Sequence, residues 1–478
     1  MQFLLALIVG VLGYVLGTRL TQDSGTVMAI VLGGAAGALA LSRPVTMLFL
    51  ILALAPLHGM ARAYYLGPMG ALWKEFLTGA IALGWVGRLV IKRERLYRTP
   101  LNAPVLLFSL LAIVHTFLAP TLIQGLYELK KMIPYVPLFF FVANTPLPRR
   151  KIRQLLVILL IVGIGTALWG VFQRMLGPEL LLRHGLMYPG RTVAFPGARF
   201  MRVWSTYGGP GFFAANVVAF MMIALALYLH PRAGFRRGRL LIGMVILFVA
   251  LVFTMSRGPV LLATAGFVVL SVLTGQKSPV LLVILAVGAV VLIFPAVVME
   301  RASMTFGGED SSFQFRMWFL LNAGIPDMLA HPFGTGLGTT RGFNTAVVQY
   351  LASGTGLSSN ISRVEGGTEN GYLHVGIQMG FPGLVLFCWI LLALIRHSVR
   401  VYRHVQDPLL KAVAAAAAGI SLEVALGNLL GVAFDAFPLD LYFWTFAGLL
   451  VTLPHVEAAE ASEEAAPSRP WPYMRYGS

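Results

Sequence analysis

Val280–Val298 reads VLLVILAVGAVVLIFPAVV, nineteen residues without a charge. A helix of that length rises about 28 Å, close to the hydrocarbon thickness of a bilayer. Backbone amides in lipid must bond within their own segment, so such a stretch is a helix. The run Leu281-Leu282-Val283-Ile284-Leu285 does not alternate, which excludes a lipid-facing β-strand. Phe212–Leu229 repeats the pattern. Composition agrees. Hydrophobic residues make up 58% of the 478 and charged residues only 12%, about half the charged share of a soluble domain. Mean hydropathy is +0.79. The expected fold class is therefore all-α, a polytopic membrane helix bundle.

Working outward, about 14 candidate spans (12–14 as a range) have cores at 2–18, 26–42, 45–59, 71–91, 103–119, 133–145, 155–175, 209–230, 239–254, 258–274, 279–299, 372–395, 411–431 and 438–453. The sixth is short and interrupted by Pro134 and Pro137, as a broken or re-entrant piece would be. Met1–Leu16 lacks a basic start and a small-x-small cleavage site, and reads as a first span rather than a cleaved signal. The net charge of +17 would point to nucleic acid in a soluble protein. Here much of it is topological, and no nucleic-acid partner is expected. Four basic turns, Lys92–Arg98, Arg149–Arg153, Arg232–Arg239 and Arg396–Arg403, fall on one side of the span list. Lysine and arginine collect in cytoplasmic loops, so both termini are placed in the cytoplasm. Residues 1–453 form one transmembrane domain on this reading, and 454–478, with an Ala/Glu run and prolines, form a disordered cytoplasmic tail. The single cysteine, Cys388, lies in an apolar run and implies no disulfide framework.

The opposite, extracytoplasmic side receives two long loops, about 176–208 and 300–371, the second partly helical near Trp318–Leu321. Positive-inside bias predicts few arginines there, yet Arg183, Arg191, Arg199 and Arg202 lie in the first loop. Arg257 stands at the mouth of a span, and Arg301, Arg316, Arg341 and Arg363 lie in the second loop. A guanidinium offers a planar fork of donors that matches phosphate oxygens, and a lipid diphosphate is the anion found at that depth. The competing reading pairs these arginines with lipid headgroups or with Glu300, Glu309, Asp310 and Glu365. His331-Pro332-Phe333-Gly334-Thr335-Gly336-Leu337-Gly338 has three glycines at alternate positions. They make a tight turn whose N–H groups can approach a ligand or, equally, a loop after a short helix. The second loop closes with Thr368-Glu369-Asn370-Gly371-Tyr372-Leu373-His374. A carboxylate there can cap a helix or act as a general base toward a sugar hydroxyl. His374, just inside the helix, is the second candidate base, although a buried, hydrogen-bonded histidine is the commoner case. No metal-ligand spacing is present and no cofactor is expected.

In order, Arg202 with Ser205-Thr206-Tyr207 and Pro210, Ser256-Arg257-Gly258, Arg316 with Trp318, His331-Pro332 with its glycines, and Asn370-x-Tyr372-Leu373 resemble the O-antigen ligase and O-antigen polymerase superfamily. Lys130-Lys131 fits the same pattern, and the resemblance spans roughly 125–395. It implies an inverting, metal-independent glycosyltransferase of the inner membrane. Such an enzyme takes a glycan from an undecaprenyl diphosphate donor to a glycan, lipid A core or protein acceptor in lipopolysaccharide or exopolysaccharide synthesis. It implies two arginines on the diphosphate, roles that carry to Arg257 and Arg316, and a histidine base, for which the residues here offer Glu369 or His374. Arg202, Lys130, His331, Asn370 and Tyr372 are then substrate-binding. Many ligases carry histidine where this chain has Glu369, so either Glu369 is the base or the acceptor differs. The alternative from another class is a transporter or flippase, for which Glu423 in the thirteenth span is the candidate intramembrane carboxylate.

Overall fold

Every regular element among the described residues is helical. The computed structural model describes residues 34, 36–61, 72–93, 96–183, 201–293, 320–340 and 370–465. The helices are α1 (Pro44–Leu54, continued by turns to Ala61), α2 (Trp73–Lys92), α3 (Asn102–Phe117), α4 (Leu122–Met132), α5 (Val136–Ala143), α6 (Arg149–Arg183) and α7 (Pro210–Leu229). They continue as α8 (Arg237–Phe253), α9 (Arg257–Thr274), α10 (Ser278–Ile293), α11 (Ile325–Ala330), α12 (Gly371–His404), α13 (Pro408–Leu430) and α14 (Leu439–Ala465). Six of them, α6, α7, α9, α12, α13 and α14, are long and apolar enough to cross a membrane. The expected spans at 2–18 and most of 26–42 lie outside the described residues. The proline-interrupted sixth span is the eight-residue α5, preceded by the break after α4.

Helix α13 organises the bundle. It packs on α12, α7, α9 and α14. Its run Ala412–Gly419 is buried throughout, and Gly419 and Gly266 both lie against Met222 of α7. Small side chains let helix backbones approach closely where lipid supplies no hydrophobic drive for association. Polar caps fix the helix starts: Thr121 accepts from Gln124 N, Asn370 from Tyr372 N and Leu373 N, and Asp407 from Leu409 N and Leu410 N.

The four basic turns meet at one end of the bundle. Tyr97 N donates to Asn144 Oδ1 (2.6 Å) beside Arg149, and Arg153 Nη2 donates to Gly234 O (2.9 Å). His230 Nε2 meets Tyr402 Oη at 3.2 Å, and Arg149 Nε pairs with Asp407 Oδ2 at 3.0 Å. The tail expected to be disordered from 454 needs a correction, because α14 runs on to Ala465. Alanine and glutamate are strong helix formers, and the acidic residues are bonded. Glu457 Oε1 accepts from Gln406 N and Asp407 N (2.7 Å each), and Glu460 Oε1 accepts from Arg149 N (3.2 Å).

Candidate active site

Helix α8 starts among the basic turns and rises about 25 Å over its 17 residues to the far end of the bundle. The turn Thr254-Met255-Ser256 there leads into α9, with Met255 at φ 54°. Arg257 is the first residue of α9 and is exposed. Arg202 grips this turn from the side. Its Nε donates to Thr254 O (3.0 Å) and its Nη2 to Ser256 Oγ (2.9 Å). The segment carrying Arg202 is itself pinned. Val203 N donates to Phe253 O (3.1 Å), Ser205 exchanges two bonds with Gln173, and Thr206 Oγ1 donates to Pro56 O (2.8 Å). Arg202 therefore positions the Arg257 turn.

The C-terminal end of α13 lies between Arg257 and Asn370. Gly258 abuts Leu430, where a Cβ would stand 3.3 Å from Leu430 Cδ1. On the other flank Asn370 Nδ2 donates to Leu429 O (3.4 Å) and Gly371 N to Gly431 O (2.8 Å). The structure thus brings Arg202, Arg257 and Asn370 to one junction of helix ends. Arg316 and Glu369 lie outside the described residues, Glu369 one peptide bond before Asn370.

A buried polar ring sits one helical turn below Asn370. His374 Nε2 donates to Glu128 Oε1 (2.7 Å), and Thr340 Oγ1 donates to His374 Nδ1 (2.8 Å). Gln378 Nε2 donates to Thr340 Oγ1 (3.0 Å), and Gln378 Oε1 accepts from Gly338 N. Gln124 Nε2 closes the ring on Gly338 O (2.7 Å). Gln124 and Glu128 are four apart on α4, as are His374 and Gln378 on α12, so both pairs face the 338–340 segment between them. None of the five side chains exceeds 5% exposure. Lys131 Nζ, 3.7 Å from Glu128 Oε2, supplies the countercharge that a buried carboxylate needs.

Lys130 points to another partner, Glu75, at 3.3 Å, and Glu75 also pairs with buried Lys74. Tyr372 Oη donates to Ala425 O (2.7 Å), a bond that fixes α12 on α13. His331 is exposed and bonded to Asp327, its Nδ1 lying 3.1 Å from Oδ1. The glycine turn that follows adopts φ of 88°, 95° and 85° at Gly334, Gly336 and Gly338, which only glycine tolerates readily. Its N–H groups face protein acceptors: Thr335 N donates to Ile377 O, Gly336 N to Gln378 O and Leu337 N to His115 O. The turn is a tongue docked on α12 and α3, with these donors used inside the fold.

Glu128, Gln124, Gln378 and Thr340 were not among the residues singled out from the sequence. The one local signal was the His374/Gln378 pair at a spacing of four within the apolar start of α12. Residues 242–388 match the family model described as O-antigen ligase. That range takes in Arg257, the tongue and the start of α12, and the resemblance read from the motifs is borne out over it. No curated protein matches the chain.

Proposed function

We propose, from the O-antigen ligase domain that residues 242–388 carry, that this chain moves a glycan from an undecaprenyl diphosphate donor to an acceptor hydroxyl on the periplasmic face of a bacterial inner membrane. The observation that carries the reading is the junction at the end of α13. There an arginine turn and the residue after Glu369 flank the same three residues, at the end of the bundle opposite the four basic turns.

The acceptor oxygen attacks the anomeric carbon, the bond from that carbon to the phosphate oxygen breaks, and its electron pair stays on the lipid diphosphate. The acceptor proton passes to the Glu369 carboxylate, and one displacement inverts the anomeric centre. Arg257 and Arg316 hold the diphosphate, while Lys130 stays paired with Glu75. A fixed donor aimed at developing charge is worth about 3–4 kcal/mol of barrier. Arg257→Ala is expected to slow transfer by about 100-fold or more on that scale.

The test is a deletion strain complemented with Arg257→Ala or Glu369→Gln and scored for cell-surface glycan. Loss of transfer with normal accumulation of protein in the membrane is the expected result. Wild-type glycan from both variants would overturn the assignment. In the uncomplemented strain, single repeats without long chains indicate a polymerase, and polymer retained on its lipid carrier indicates a ligase. A transporter reading draws on one observation, the Glu423 carboxylate, which is buried in α13 with no hydrogen-bond partner among the described residues. Glu423→Gln leaves transfer intact on the enzyme reading.

A further inference from the structure

We infer that Glu128 is a positioning residue for glycan transfer, acting through His374 and Thr340 on the Asn370 turn. The inference rests on the site proposed above. His374 Nε2 lies 2.7 Å from Glu128 Oε1 and 2.8 Å from Gln378 Nε2, and Nδ1 lies 2.8 Å from Thr340 Oγ1; an ionised carboxylate only accepts, so Glu128 favours the tautomer with the hydrogen on Nε2. His374 lies in the first turn of α12, its backbone N–H bonded to Asn370 O at 2.9 Å as the helix ladder requires, so the imidazole hangs one turn from the Asn370 cap. Thr340 and Asn370 flank the segment 341–369, and Lys130 and Lys131 follow Glu128 by two and three residues on α4. One imidazole therefore sets the spacing between the entry to α12, the exit of the tongue and the lysine end of α4.

Interhelical polar bonds hold membrane helices together, and a ring of them also fixes which side chains meet. A charge-assisted bond is roughly twice as strong as a neutral one, so the register depends on the carboxylate as well as on shape.

The test uses full-length protein and two readouts on the same variants. One is the initial rate of glycan transfer in membranes of the complemented deletion strain. The other is the affinity of the purified protein for undecaprenyl diphosphate. Glu128→Gln and Glu128→Ala should each slow transfer at least tenfold while affinity stays within twofold of wild type, and Glu128→Asp should recover part of the rate. Wild-type rates in Gln and Ala variants overturn the inference. So does a loss of affinity in step with rate, or failure of both variants to accumulate, since either marks a general role in the fold. Arg257→Ala is the parallel control. If it transfers and binds like wild type, the site reading itself fails. If it is impaired while the Glu128 variants are normal, only the positioning role fails.

Discussion

Helices α6 and α12 break in the same way and use the break differently. Gly177 (φ 72°, ψ 169°) precedes Pro178, and Gly380 (φ 67°, ψ −169°) stands two residues before Pro382. Both backbones occupy a region that is essentially closed to other residues. Among the described residues, an added Cβ at Gly177 would touch nothing within 4 Å. At Gly380 a Cβ would run into Pro332 O and the backbone of Phe333 and Gly334. The break in α12 is a docking slot. Ile377 O and Gln378 O, released from the helix ladder, accept from Thr335 N (2.9 Å) and Gly336 N (3.1 Å), while Phe381 N donates to Pro332 O (2.9 Å). The α6 break redirects the chain, whereas the α12 break docks the tongue.

The comparison breaks most directly at Gly380. Gly380→Ala adds backbone strain of about 1–3 kcal/mol and also expels the tongue, so both thermal stability in detergent and glycan transfer should collapse. Gly177→Ala carries only the strain, about 1–3 kcal/mol, and should lower the unfolding temperature while leaving most transfer in place. Equal loss of transfer in the two variants would show that the slot has no special role.

The basic turns were legible because lysine and arginine in short loops report topology locally. Arg153 to Gly234 and Arg149 to Asp407 are the contacts that this pattern implies. Arg257 stood out because the span list put it where positive charge is avoided, and it starts α9 at the end of α8 opposite the basic turns. Glu128 did not stand out. In sequence it sits two residues before Lys130 near a helix end and looks like a solvated charge. Its burial follows from His374, 246 residues away, and no local pattern encodes a partner at that distance. The tongue was half legible. Three glycines announced positive φ, but the identity of the acceptors depended on the gap that Gly380 opens in another helix. The Ala/Glu run of α14 was misread because low hydrophobicity and prolines beyond it suggested disorder. Helix propensity together with the bonds of Glu457 and Glu460 prevails up to Ala465.

The central claim is that a lipid diphosphate binds at the helix-end junction far from the basic turns. Photoactivatable undecaprenyl diphosphate, added to membranes holding the full-length protein and followed by peptide mapping, tests it directly. Label on 254–260 and 428–432, competed by unlabelled undecaprenyl diphosphate, is the predicted result. Label concentrated on 149–153 and 232–239, or label that the unlabelled lipid does not displace, would contradict the account.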